Sequence, residues 1–394
     1  MMKKNIILTF VCFFAFLFQI QAQEQKEEGY RFTDIKRMPA TIVKSQDRSS
    51  TCWAWSGISF FESEIARLGK DSVSLSPMYV VWHTYNGKAG RYVRLHGEMN
   101  FSPGGAHYDV QWAIDRYGIV PLESYSGLNY GENSHVHAEL NRLLKAYADV
   151  LVKNPNRKIT TAWKTGYQGI LDAYLGKLPQ TFIYKGKEYT PVNFAQMLGL
   201  NMGDYIQLTS FSHHPFYTPF AIEVPDNWLN GNTYNLPLEE FMDVLDKAID
   251  KGFTFAWAAD LSEKGFTNGI AVVPTSDTKE MKDAEIARWL SLPKEEQQQL
   301  FTKQPCSEKK ITQEMRQEAF DNYQTTDDHG MHIIGKAQDQ NGTPYFIVKN
   351  SWGKYNKYDG YLYASYSYVA YKTLSVMIHK DALSKELKKK LGIQ

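Results

Sequence analysis

Trp55, Ile58, Phe61, Ile65 and Leu68 follow Trp53 at mostly three- and four-residue steps, and Gly69 then supplies a stop. This is the pattern of an amphipathic helix whose apolar stripe must be buried. Ser49, Ser50 and Thr51 stand just before it as candidate caps. Cys52 therefore falls in the first turn of a core helix. A thiol there meets the positive end of the helix dipole and unpaired backbone N–H groups, which favour its thiolate. A lone cysteine is more often a buried small hydrophobe, so the rest of the chain has to decide its role.

Further helices are expected over Ala106 to Tyr117, stopped by Gly118, and over Val136 to Leu151, with Leu140, Leu143, Leu144 and Tyr147 inward. The middle mixes a helical stretch, Leu238 to Lys251, with strand-like runs at Tyr205 to Thr209 and Phe253 to Ala258. Between Glu280 and Glu318 the chain is rich in Lys, Glu and Gln, and reads as a solvated helical insertion. Tyr345 to Lys349 and Tyr361 to His379 alternate apolar and polar residues and carry many Tyr and Val, as antiparallel strands do. Helices come first and sheet follows, which is an α+β arrangement of a helical lobe and a β lobe.

The first 22 residues read as a secretory signal: Lys3 and Lys4, an apolar run from Ile6 to Ile20, then small Ala22. That run is short for a spanning helix, which needs about 20 residues, so cleavage after Ala22 is expected over a membrane anchor. Cys12 lies inside the apolar run rather than at its end, which argues against lipidation. Residues 23–35 are polar and read as a flexible leader, followed by a helical lobe at 36–153, a mixed region at 154–325, a β lobe at 326–380 and a tail at 381–394. Export leaves only Cys52 and Cys306, so no disulfide framework is available. Cys306 reads as a bystander thiol. Lys plus Arg number 44 against 43 Asp plus Glu, so no global field draws nucleic acid or an anionic membrane.

Three separated segments carry chemistry. Gln46 lies six residues before Cys52 in Ser-Gln-Asp-Arg-Ser-Ser-Thr-Cys-Trp-Ala-Trp-Ser, where its amide can join the Cys52 N–H in holding an oxyanion. Far downstream stand Asp328-His329-Gly-Met-His332-Ile-Ile-Gly335 and Asn350-Ser-Trp352-Gly353. In this order these segments resemble the papain superfamily of cysteine peptidases. The resemblance implies a two-lobed α+β fold with a large, partly helical insertion. It also implies acyl transfer through Cys52 as nucleophile, His329 as base and Asn350 as the group orienting that base. Gly104 and Gly105 resemble the family's glycine pair, whose backbone pairs with an extended substrate. An ordinary Pro-Gly-Gly turn is the other reading.

His329 and His332 are three residues apart, so in a strand they face opposite sides of the sheet and only one can meet Cys52. His329 follows Asp328 where the strand should open and precedes Gly335 by six residues, which matches the family's spacing. Trp352 is expected to shield the His329–Asn350 bond from water. Within the superfamily the chain resembles the bleomycin hydrolase and aminopeptidase C branch, in the long separation of Cys52 from His329, in Ala258-Ala259-Asp260-Leu-Ser-Glu-Lys-Gly-Phe266 and in the acidic lead-in to His329. That branch implies peptide substrates, aminopeptidase action and possible homo-oligomers. It departs from the family at Ser49, often a cysteine, and at Asn356-Lys357, usually Trp-Gly. In branch relatives a terminal carboxylate enters the cleft, and Gly392 before Ile393 and Gln394 offers the flexibility for this. An open-cleft endopeptidase is the alternative within the class, and a binding or scaffold protein on a decayed peptidase fold is the alternative outside it. His135 with His137, His213 with His214, and His329 with His332 form neither His-Glu-x-x-His nor a cysteine-rich knuckle, so no metal or other cofactor is expected.

Overall fold

The computed structural model describes residues 29–155, 158–267, 269–275 and 305–394. The signal read at 1–22, residues 23–28 and most of the Lys/Glu/Gln-rich stretch lie outside these. Six helices build the first lobe: α1 (Cys52–Arg67), α2 (Pro77–Arg94), α3 (His107–Tyr117), α4 (Ala138–Val152), α5 (Ala162–Leu175) and α6 (Pro191–Met197). Trp53, Phe60, Phe61, Ile65, Val80, Val110, Leu140, Leu171 and Phe194 interlock in its core. The helix read from Trp53 is thus observed, and it is buried along nearly its whole length. On α4 the inner stripe is Leu140, Leu144 and Ala148, one every fourth residue, which rotates Leu143 outward to 42% exposure instead of inward.

The β lobe is one large mixed sheet. Its strands in chain order are β1 (Phe32–Arg37), then, after the separate hairpin of β2 (Phe182–Tyr184) and β3 (Lys187–Tyr189), β4 (Tyr205–Thr209), β5 (Pro219–Ala221), β6 (Asn232–Asn235), β7 (Phe255–Ala259), β8 (Phe266–Thr267), β9 (Ile270–Ala271), β10 (His329–Asp339), β11 (Pro344–Lys349), β12 (Tyr361–Ser365) and β13 (Thr373–His379). They lie in the order β5-β6-β4-β13-β7-β10-β11-β12-β9-β8, with β1 also paired to β10. Within the described part of 154–325, α5 and α6 complete the helical core and β4 to β7 join the sheet. Nor is the chain before residue 36 all leader. Phe32 pairs with Asp339, and its ring stacks on Tyr363 at 3.8 Å, so the strand is held by an aromatic cluster.

Alternation along the strands divides the sheet's two faces. Ala256 and Met377 face the helical lobe, while Phe255, Trp257, Met331, Ile333, Phe346, Val376 and Ile378 face the other way. That far face is covered by α7 (Leu238–Asp250), α9 (Tyr366–Lys372) and α10 (Lys385–Leu391). The run Tyr361 to His379, read as strands throughout, is broken by α9, because Ser365 Oγ accepts the Tyr368 N–H and starts a helix there. In the Lys/Glu/Gln-rich stretch, α8 (Gln313–Asp321) is not a solvated surface. Its Arg316 is fully buried, donates to the carbonyls of Ser210, Ala370 and Thr373, and is pushed down to about 9 by burial.

α1 meets the sheet at β10. A Cβ added at Gly330 would stand 2.7 Å from Ser56 Oγ and 3.1 Å from Trp53 Cα. Further along, His332 Nδ1 pairs with Ser59 Oγ at 3.0 Å, and Lys349 Nζ donates to the same hydroxyl at 2.8 Å. Gly330→Ala should therefore destabilise the protein by about 1–3 kcal/mol through overpacking against a backbone that cannot retreat. Denaturant unfolding checks this, and an unchanged midpoint would show that α1 adjusts freely.

Candidate active site

The first turn of α1 and the start of β10 meet at a cleft of about 370 Å³. Its walls include Gln46, Cys52, Trp53, Gly104, Gly105, Asp226, Ala258, Asp327 and His329. Thr51 occupies the cap position of α1 but does not cap it. Its hydroxyl pairs with Ser49 Oγ at 2.6 Å instead, so none of the three expected caps closes the helix end. In the first turn the Ala54 and Trp55 N–H groups donate to the Thr51 carbonyl, while Trp53 N–H faces the Cys52 sulfur together with Gly330 N–H.

His329 Nε2 donates to Asn350 Oδ1 at 2.8 Å. The amide's orientation follows from its other bonds: the Ser351 N–H also donates to Oδ1 at 2.7 Å, and Nδ2 reaches the Tyr355 hydroxyl at 3.3 Å. With Nε2 carrying the proton, Nδ1 is the basic nitrogen of the ring. Trp352 lies over the imidazole with centroids 4.8 Å apart, as expected. Gln46 is held from behind, because Ser351 Oγ donates to its Oε1 at 3.0 Å, which leaves the Nε2 N–H groups as its free donors. His332 is fully buried, bonds to Ser59 further along α1 and does not line the cleft.

Burial dominates the electrostatics. It pushes the Cys52 thiol up to about 11, helped by the carboxylates of Asp327 and Asp226 and opposed by the N–H groups of Gly330 and Trp53. It pulls His329 down to about 4 against the favourable Asn350 bond. Desolvation thus works against the thiolate that the helix end favours, and the N–H groups of Gly330 and Trp53 work for it.

Asp328 does not touch the imidazole. It accepts from Thr326 Oγ1 at 2.8 Å and Leu261 N–H at 3.3 Å, so it supports the loop before β10. Gly104 and Gly105 do line the cleft, with Lys88 Nζ donating to the Gly104 carbonyl at 2.5 Å and the Trp53 indole to the Pro103 carbonyl at 3.1 Å. The tail does not reach it. Gly392 ends α10 at φ +67°, Ile393 N–H bonds to the Lys388 carbonyl and its side chain packs on the far-face core, so no residue of 381–394 lines the cleft. Cys306 is a free thiol near the Tyr30 hydroxyl. His213 and His214 pair with Glu223, from 3.1 and 2.7 Å, away from the cleft. Asp226 and Asp327 escaped the sequence reading: Asp327 was noticed only as part of an acidic lead-in, and Asp226 sits in a Pro-Asp-Asn-Trp turn with no distinctive pattern.

Asp327 is itself pushed up to about 7 by burial and by Asp226, Asp328 and Asp109. A folded-state value above the unfolded one means stability that is present at low pH and lost as pH rises through about 7. Asp327→Asn should raise the melting temperature more at pH 8 than at pH 5 and should move the alkaline inflection of Cys52 alkylation downward. An equal shift at both pH values, with the inflection unmoved, would place Asp327 outside the site's field.

Residues 297–394 match the Peptidase C1-like family. An aminopeptidase C of Lactococcus lactis subsp. cremoris is 23% identical over 391 residues, covering 90% of this chain and 83% of its own. An aminopeptidase C of Listeria monocytogenes is 26% identical, covering 88% and 81%. The crystal structure of PepW from Lactobacillus rhamnosis HN001 superposes with a TM-score of 0.68 at 21% identity, over 91% of this chain and 84% of that one. The fold is papain-like.

Proposed function

We propose that this chain, a relative of the papain-superfamily cysteine peptidases on their bleomycin hydrolase and aminopeptidase C side, is an exported aminopeptidase acting on oligopeptides through Cys52, His329 and Asn350. The observation that carries the reading is the cleft shared by Cys52 and His329, with the ring of His329 held by Asn350 at 2.8 Å. Residues from opposite ends of the chain line that cleft, which supports acyl transfer as its chemistry. Aminopeptidase C relatives along most of the chain support the substrate class.

In the mechanism the Cys52 sulfur attacks the carbonyl carbon of the first peptide bond as its proton passes to His329 Nδ1. Charge growing on the carbonyl oxygen is met by the Gln46 amide and the Cys52 N–H. The imidazolium, steadied by Asn350, then protonates the leaving amine, and water attacks the thioester with His329 again as base. The signal-like sequence at 1–22 supports export. An open-cleft endopeptidase is the second reading. It is favoured by one observation, that the residues after α10 leave the cleft uncovered.

Cys52→Ala and His329→Ala should each abolish turnover of an amino-acid arylamide while leaving the fold intact. His332→Ala should act mainly on stability. Gln46→Ala should lower kcat by about 100- to 1000-fold, the usual loss for one oxyanion donor. Steady-state kinetics decide: turnover surviving in the Cys52 variant sinks the reading, and an effect of Gln46 on KM alone removes it from the oxyanion site.

A further inference from the structure

Away from the cleft, two adjacent histidines and a glutamate from another segment turn their ligating atoms toward one point. His213 and His214 lie in the turn after β4, and Glu223 follows β5. Neighbouring side chains diverge in extended backbone, but the turn at 212–214 brings both rings to one side, with centroids 4.6 Å apart. His213 Nε2 stands 3.1 Å from Glu223 Oε2 and His214 Nε2 2.7 Å from Oε1, and the three groups offer ligating atoms within 4.8 Å of one another. Among the described residues no other three such side chains converge in this way.

The surroundings hold the imidazoles in place. The ring of His214 stacks on Phe220 at 4.2 Å, and that of His213 on Phe320 of α8 at 5.7 Å. Asn235, fully buried, donates to the carbonyls of Phe211 and His214 and accepts the Phe211 N–H, which fixes the turn. Gln317 accepts the Ser212 N–H at 2.6 Å through Oε1, so the orientation of its amide is set. Its Nε2 and Oε1 then stand 3.0 and 3.2 Å from His213 Nδ1. With Nε2–H directed at Glu223, Nδ1 accepts from the amide nitrogen; with a metal on Nε2, Nδ1–H donates to the amide oxygen. One side chain thus serves both tautomers without moving, and an acceptor behind a ligating imidazole is what orients it at a metal site.

We propose that His213, His214 and Glu223 form a zinc site that joins the turn after β4 to the segment after β5. Two imidazoles and a carboxylate suit zinc better than magnesium or calcium, which prefer oxygen ligands throughout. Ligands about 2.0–2.2 Å from a tetrahedral zinc stand about 3.3–3.5 Å from one another, so both histidine–glutamate pairs have only to widen slightly. Glu223, with its side chain 56% exposed, has the freedom to do so, and water takes the fourth position. The adjacent histidines match no recognised metal spacing because their third ligand comes from the end of another strand. Beyond Glu223 the chain runs on to Asp226 in the cleft, so the ion clamps one end of a segment that forms part of the cleft wall. The site stands apart from the peptidase reading.

Calorimetric titration with zinc tests this on the full chain carrying Cys52→Ala, purified without a polyhistidine tag, so that the cleft thiol does not compete. One zinc per chain should bind. His213→Ala/His214→Ala on that background should weaken it by about 100-fold or more, the upper end of the loss seen when even a supporting residue is removed, and Glu223→Gln by at least about 10-fold. Thermal melting runs in parallel: in EDTA the Glu223→Gln variant should melt close to its parent, while zinc raises the parent's melting temperature and magnesium or calcium does not. Absence of zinc binding by the parent overturns the proposal, and an equal affinity in the double histidine variant overturns these ligands. An equal rise with calcium that Glu223→Gln abolishes overturns the choice of zinc. If the double variant melts far below its parent in EDTA, Glu223→Gln decides alone, and an unchanged zinc affinity in it overturns the site. No turnover enters these measurements, so failure of the peptidase reading leaves them unaffected.

Discussion

The missing side chain at Gly330 lets the first turn of α1 rest directly on the opening of β10, with Ser56 and Trp53 in the space a Cβ would fill. This contact brings the two lobes together at one point, and the cleft is the gap that remains beside it. His329 precedes Gly330 and Cys52 precedes Trp53, so the same close approach that packs the lobes brings both residues to the cleft. The contact is reinforced away from the cleft by buried polar groups, His332 and Lys349 sharing Ser59, and Lys349 pulled down to about 8 by burial. Such a network tolerates little displacement, because each member left unpaired would cost more than its bond returns.

The cost of this arrangement falls on the nucleophile. A sulfur enclosed by two lobes is desolvated, and the N–H groups of Gly330 and Trp53 do not compensate for that loss and for two nearby carboxylates. Asn350 and Trp352 hold the imidazole in one orientation, but neither supplies a charge.

How much of this can be read in the chain depends on how far each signal reaches. The helix from Cys52 and the strands at 205–209 and 345–349 rest on local periodicity and were legible. The assembly of Gln46, Cys52, His329 and Asn350 was legible only because the order and spacing of the motifs resemble a known family. Long-range packing escaped. Leu143 is apolar but one position off the stripe, α9 depends on a single serine cap inside a run rich in strand formers, and α8 hides a buried arginine in a segment of surface composition. Asp226 meets Gly104 through a loop contact that leaves no periodic trace.

The last helix shows why flexibility cannot be inferred from composition alone. Three consecutive lysines and a glycine suggest a tail free to swing, yet Leu387 and Leu391, four residues apart, anchor α10 on the far face of the sheet, and Lys390 lies over Tyr217 and near Glu240. Gly392 takes a left-handed conformation that ends the helix and turns Ile393 back onto the core. The face of the sheet that α10 covers is opposite the one that packs against α1. Among the described residues, the carboxylates lining the cleft are Asp226, Asp327 and Asp328 rather than any group of 381–394.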